Sequence, residues 1–209
     1  MNFFDEMAGV WDRTSRPDAD RLGNILSILH LSKGEKVLDV GTGTGVMIPF
    51  IRERVGPYTP IVAVDSSEKM LREASWRYAG EGVHFIRADV ERDRLAGRFD
   101  AIVLYSVFPH FRYPVDTIAR LVTDNLCCGG RLLIAHTQGR KHLNQIHERL
   151  LSRVFSRQLL PAAEQAGEFA RVGLTVTSFG ETDDYYYLLL QRVGVGHELS
   201  VSIAEAIYE

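Results

Sequence analysis

The chain has 209 residues, 45% of them hydrophobic and 24% charged, and a net charge of −3. That length and composition suit one α/β unit large enough to bury a single good core. No lysine or arginine cluster exceeds two neighbours, so the phosphate-neutralising face of a nucleic-acid binder is not evident and no nucleic-acid partner is expected. The start, Met-Asn-Phe-Phe-Asp-Glu-Met, is acidic where a signal peptide would be basic, and no apolar run approaches ~18 residues. A cytoplasmic protein without a membrane partner is the expectation. The two cysteines, Cys127 and Cys128, are adjacent, which makes neither a disulfide framework nor a metal knuckle. They read as a buried or half-buried thiol pair.

In chain order, an aromatic-rich segment from Phe3 to Trp11 comes first, and a helix is predicted from Pro17 to Leu31. Apolar runs bounded by turn residues predict strands at Lys36–Val40, Ile61–Asp65, Val83–Ala88, Asp100–Ser106 and Arg131–His136. These runs are nearly continuous, as expected for a parallel sheet covered on both faces. Helices are predicted between them at Val46–Val55, at Glu68–Ala79 behind the capping residues Ser66 and Ser67, and at Tyr113–Leu126, the last ended by Gly129-Gly130. Strand and helix alternate, which gives an open, doubly wound, mostly parallel sheet with helices on both faces. Next comes a long helix, Arg140–Leu160, with Leu143, Ile146, Leu150 and Val154 on one stripe. A helix opened by Pro161 runs to Arg171, and two strands, Leu174–Phe179 and Tyr185–Val193, follow. A single domain over 1–209 is expected: a helical lid segment over 1–34, a core over 35–193, and a weakly amphipathic tail over 194–209 with no assigned place.

Residues 37 to 51 read Val-Leu-Asp-Val-Gly-Thr-Gly-Thr-Gly-Val-Met-Ile-Pro-Phe-Ile, and Ile-Val-Ala-Val-Asp ends at Asp65. A strand thus enters a loop with glycine at every second position, and a second strand is capped by an acid. Glycine lets the backbone close on a ligand and supplies positive φ. A carboxylate after the second strand is placed to accept hydrogen bonds from a ribose diol. The dinucleotide fingerprint G-x-G-x-x-G is broken, because Val46 stands at its third glycine position. Asp39, two residues before the loop, would repel a pyrophosphate and suits a cationic group.

At these residues the chain resembles the class I S-adenosylmethionine-dependent methyltransferases: Val37 to Gly45 looks like their first motif and Val62 to Asp65 like their second. The resemblance covers roughly 35 to 193 and implies a Rossmann-like sheet of seven strands closed by a hairpin with an antiparallel last strand. It implies S-adenosylmethionine as cofactor, which carries an ammonium and a sulfonium and no phosphate. Gly41, Thr42, Gly43 and Gly45 would meet its methionine part, with Asp39 oriented toward the ammonium. Asp65 would accept the ribose hydroxyls, while Ser66 and Met70 would flank the adenine. Asp89, between Ala88 and Val90, matches the family position that takes a hydrogen from the adenine amino group. Tyr105 and Ser106 would end the fourth strand beside the sulfonium, and Trp11 is a candidate lid residue.

Methyl transfer from a sulfonium is an in-line displacement by an activated donor, so alignment and exclusion of water matter most. A base is needed only if the acceptor must lose a proton. His110 follows the fourth strand and matches a recurrent histidine of small-molecule members of the family. His136 ends the fifth strand beside it. Both are candidate catalytic residues, as base or as pocket lining, and His147 is a third candidate on the long helix. The spacing fits no local metal-ligand motif, and no metal is expected. The segment after the fourth strand is not an Asn/Asp-Pro-Pro-aromatic sequence, and the paired glutamates of arginine methyltransferases are absent. The expectation is methyl transfer to a small-molecule acceptor by a monomer or homodimer. A tRNA or protein methyltransferase, or a non-catalytic cofactor-binding subunit, are the alternatives.

Overall fold

The structure, a computed structural model, describes residues 3–11, 18–80, 82–150 and 152–194. The start of the expected Pro17–Leu31 helix and almost all of the 194–209 tail lie outside the described residues. Seven strands form one sheet: β1 (Val37–Val40), β2 (Ile61–Asp65), β3 (Val83–Arg87), β4 (Phe99–Tyr105), β5 (Leu126–His136), β6 (Thr175–Glu181) and β7 (Tyr186–Gln191). Their order is β3-β2-β1-β4-β5-β7-β6, parallel except for β7, which runs antiparallel to both β5 and β6. The helices are α1 (Phe3–Met7), α2 (Ala19–Ser27), α3 (Ile48–Val55), α4 (Glu68–Tyr78), α5 (Pro114–Arg120), α6 (Arg140–Leu150) and α7 (Ala162–Arg171).

Strand side chains alternate between faces, and this accounts for the unbroken apolar runs. Leu38, Val40, Ile102, Leu104, Leu132, Ile134, Leu188 and Leu190 join one core with Ile118 of α5 and Phe169 of α7. Val37, Ala101, Val103, Leu133, Ala135 and Leu189 join the other with Leu22, Ile25 and Leu26 of α2 and Ile51 and Val55 of α3. Capping residues set the helix starts. Asp18 accepts from the Asp20 amide at 2.8 Å ahead of α2, and Ser67 accepts from the Met70 amide at 3.2 Å ahead of α4.

Four expectations are corrected. The helix after β4 does not reach Leu126: it widens over Leu121–Asn125 and gives way to β5, which begins at Leu126. Gly129-Gly130 therefore lies inside a strand, where the β4–β5 register slips between Phe99 and Ala101. A side chain at Gly130 would come within 2.9 Å of the Cys127 carbonyl, so the bulge needs glycine there. The long helix stops at Leu150, not Leu160. Asn144 holds the returning chain, accepting from the Leu159 amide at 2.8 Å and donating to its carbonyl at 3.1 Å. Strand β3 is not covered on both faces, because it is an edge strand with His84 and Ile86 exposed. Cys127 is half-buried, but Cys128 is exposed.

Candidate active site

The chain order reverses between β1 and β4, and in open α/β sheets ligands bind beyond the carboxyl ends of the strands at that point. Val40, Asp65, Tyr105 and His136 end their strands on this edge. The turn from β1 to α3 is tied down to β2: the amides of Gly41 and Thr42 both donate to the Val64 carbonyl, at 2.8 and 3.0 Å. Gly41 has φ +69, and a Cβ there would fall 2.5 Å from a Val107 methyl, so only glycine fits without displacing the segment after β4. Gly43, at φ +56, has open space where its Cβ would stand. Its amide donates to Asp65 Oδ2 at 2.9 Å. The Ser67 amide donates to Asp65 Oδ1 at 2.8 Å. Both Asp65 oxygens thus hold backbone donors, and the carboxylate has lone pairs left for another partner. Burial raises the Asp65 carboxyl above its ordinary range, against the pull of these amide bonds.

Above this turn lies a cavity of about 420 Å³. Of the residues singled out in the sequence, Gly41, Thr42, Gly43, Asp65, Ser66, Met70, Ala88, Asp89, Val90, Tyr105 and His110 line it. Asp89 also serves its own turn, accepting from the Glu91 amide at 3.0 Å and pairing with Arg92 at 3.5 Å. Asp39 and Gly45 are not in the wall. Gly45 backs onto Tyr78 and Ile48. Asp39 is buried beneath the loop, where its carboxylate accepts from the Thr42 hydroxyl at 2.6 Å. Burial first, and the nearby Asp65 charge after it, push Asp39 up to about 7. The acidic lining, Asp65, Asp89 and Glu91 with Arg153 as its cationic member, suits a cationic ligand with a diol and an apolar ring better than a pyrophosphate.

A second cavity of about 760 Å³ adjoins the first. Phe4, Trp11, Tyr105, Ser106 and His110 line both, so the two spaces meet along one wall. Helix α1 crosses this wall. Asp5 accepts from the Ser67 hydroxyl at 2.6 Å, and Glu6 pairs with Arg153 at 3.4 Å. Ser106 sits at the junction with φ +56, uncommon for a residue with a side chain. Its amide donates to the Ala135 carbonyl at 3.0 Å.

Comparison with known proteins agrees with this site. A family model for a methyltransferase domain matches residues 37–130. The malonyl-[acyl-carrier protein] O-methyltransferase of Anoxybacillus flavithermus is 25% identical over 195 residues, which span 93% of this chain and 69% of that enzyme. The nocamycin O-methyltransferase of Saccharothrix syringae is 33% identical over 130 residues, 57% of this chain and 45% of that one. The solved complex of DhpI with S-adenosylhomocysteine superposes with a TM-score of 0.73 at 18% identity, covering 91% of this chain and 94% of that one. Residues 37–130 match a methyltransferase domain, and the chain has the fold of solved S-adenosylmethionine-dependent methyltransferases. Both comparisons support S-adenosylmethionine as the cofactor.

In this methyltransferase three histidines line the second cavity, His110 on the shared wall and His136 and His147 beyond it. His110 Nδ1 lies 3.0 Å from the Phe155 carbonyl and 3.1 Å from Ser156 Oγ. A carbonyl can only accept, so Nδ1 carries the proton and Nε2 the lone pair. Burial lowers the His110 pKa, while the Phe155 carbonyl works the other way. His136 and His147 line the second cavity and not the first. Burial, then the neighbouring histidines, bring His136 down to about 3, and burial and His110 bring His147 down to about 4. The Tyr105 hydroxyl is engaged by Thr137 Oγ1 at 2.5 Å, and burial raises its pKa.

Arg153, Val154 and Phe155 line the first cavity, although helical periodicity in the sequence places them on a long helix. The signal for their place is Asn144, whose side chain ends that reading only through a contact fifteen residues away. No three His, Cys, Asp or Glu side chains among the described residues form a metal-holding group. No described helix is long and apolar enough to cross a membrane.

Proposed function

We propose that this methyltransferase methylates a small-molecule acceptor held in the 760 Å³ cavity, and that oxygen is the accepting atom. The observation that carries the reading is the common wall of Phe4, Trp11, Tyr105, Ser106 and His110 between the two cavities. An acceptor in the second cavity would meet a methyl donor in the first across this wall. The preference for oxygen is supported by the two relatives above, each an O-methyltransferase by name. Residues 1–209 work as one unit, with the segment 1–34 as its lid.

The cofactor supplies an activated methyl group. Among this chain's residues, Gly41, Thr42 and Gly43 offer backbone groups to its amino-acid end, Asp65 takes the ribose diol, Met70, Ala88 and Val90 enclose the adenine, and Asp89 receives the adenine amino group. Ser66 and Tyr105 complete the wall. Asp39 and Gly45 act from beneath, shaping the loop and its charge. Helix α1 and Trp11 exclude water. His110 Nε2 takes the proton of an acceptor that must lose one.

Calorimetric titration with S-adenosylhomocysteine tests the cofactor half. Asp65→Ala removes hydrogen bonds to a charged acceptor group, about 1.5 to 3 kcal/mol, so affinity falls about 10- to 100-fold. Unchanged affinity in the variant overturns the assignment of Asp65. Methylation of tRNA or of a protein, with no turnover of small hydroxyl compounds, overturns the acceptor.

A further inference from the structure

The far end of the second cavity is polar in an unusual way. His136 is 1% exposed and both its ring nitrogens lack a hydrogen-bond partner. His147 Nδ1 and the Tyr186 hydroxyl are equally buried and equally unpartnered. Three separate elements bring them together. His136 ends β5, Tyr186 is its register partner on β7, and His147 lies on α6. The Tyr186 ring stands edge-on to His136 with centroids 6.0 Å apart, and the His147 ring stands edge-on to His110 at 5.2 Å. Buried polar groups are normally satisfied, because leaving one bare forfeits its hydration with nothing in return. A cluster of four such atoms beside a cavity is a site waiting for a partner.

We propose that His136 and His147, with Tyr186 holding the His136 ring, form a recognition subsite for an uncharged group of the acceptor that both donates and accepts hydrogen bonds, such as a carboxamide, a lactam or a hydroxy-carbonyl. This rests on the reading of the 760 Å³ cavity as the acceptor site. A neutral imidazole offers one N–H and one lone pair, which complements the N–H and carbonyl of an amide. A charged group would find no counterion. The ionic residues of this cavity are Asp18, Arg21 and Arg153. Arg21 pairs with Asp184 at 3.0 Å and Arg153 with Glu6 at 3.4 Å, while Asp18 is solvent-exposed and caps α2, away from the buried histidines. Arg140 and Glu181, near Tyr186, pair with each other at 2.9 Å. Burying an ion against neutral imidazoles alone costs several kcal/mol. Because His136 is absent from the cofactor cavity, it is a positioning residue that sets which acceptor binds, remote from the proton taken at the accepting atom.

The test titrates the S-adenosylhomocysteine complex of the whole protein with three matched probes, benzamide, benzoate and benzylamine, and follows the histidine ring resonances by NMR. Benzamide should shift His136 and His147 saturably and bind at least about tenfold tighter than either charged probe. His136→Phe should weaken benzamide about tenfold, and His136→Gln, which keeps one donor and one acceptor, should hold most of the affinity. S-adenosylhomocysteine affinity, measured in parallel, should be unchanged in both variants and reports that they fold. Equal binding of the three probes, preference for a charged one, binding of none, or full benzamide affinity in His136→Phe overturns the subsite and leaves water as its occupant. Failure of the wild type to bind S-adenosylhomocysteine would instead sink the reading of the first cavity.

Discussion

Asp39→Asn separates the structural and electrostatic roles of the acid beneath the glycine loop. Asp39 is 1% exposed and accepts one hydrogen bond, from Thr42. Burial is the main cause of its rise from 3.8 to about 7, with the Asp65 charge adding to it and the Thr42 bond opposing it. Between those two values the folded chain holds a proton that the unfolded chain has released. The stability this contributes is therefore complete below about pH 4 and is lost as pH rises through about 7. At about 1.4 kcal/mol per pH unit the whole span is worth about 4 kcal/mol. Asparagine keeps the shape and an oxygen for Thr42 but cannot ionise. Urea unfolding across this range should show the wild type losing about 4 kcal/mol relative to Asp39→Asn. The ammonium of S-adenosylhomocysteine favours the ionised acid, so its wild-type affinity should climb with pH and level off above about 7. In Asp39→Asn the climb should vanish, and calorimetry in buffers of different ionisation enthalpy should detect no Asp39 proton release. Stability curves for the two proteins that run parallel from pH 4 to 8 would refute the reasoning.

The buried histidines give the opposite pH dependence. His136, lowered to about 3, stabilises the fold fully above its unfolded value near 6.5, and that contribution drains away as pH falls. Wild type should lose about 2 kcal/mol relative to His136→Phe between pH 6.5 and 5, read from urea midpoints. Gly41→Ala, with its Cβ 2.5 Å from Val107 at φ +69, should cost about 1 to 3 kcal/mol. Thermal unfolding measures that loss, and weaker S-adenosylhomocysteine binding should accompany it. His110→Gln should lower turnover by ~10²-fold with cofactor affinity intact. Because burial lowers the His110 pKa, the acid limb of the wild-type rate profile should fall below pH 6.5, the value an unperturbed histidine would give. A variant with wild-type turnover would remove His110 from the chemistry.

The half of the site that was legible in the sequence depends on local signals. Glycine at 41, 43 and 45 between two apolar runs, and an acid closing the second run, are short-range patterns, and Gly41, Gly43 and Asp65 meet within hydrogen-bonding distance or one turn of each other. The other half is built by residues far apart in the chain. His110 reaches Phe155 across 45 positions, Glu6 reaches Arg153 across 147, and His136 meets Tyr186 through strand pairing. Helical periodicity carries Leu150 on to Val154 without interruption. Only the Asn144 clamp on Leu159 turns the chain away at Leu150 and sends Arg153 and Phe155 over the cofactor cavity. Asp39 shows the same limit in a single residue. Its place before the loop reads as a direct contact with a cation, yet the fold buries it under Thr42 and out of the cavity wall. Such a contrast follows from what each half has to do. A cofactor loop can be encoded in fifteen consecutive residues, because one turn makes it. An acceptor pocket needs walls from β4, β5, α1 and α6 at once, so its chemistry emerges only when tertiary packing brings His110, His136 and His147 around one space.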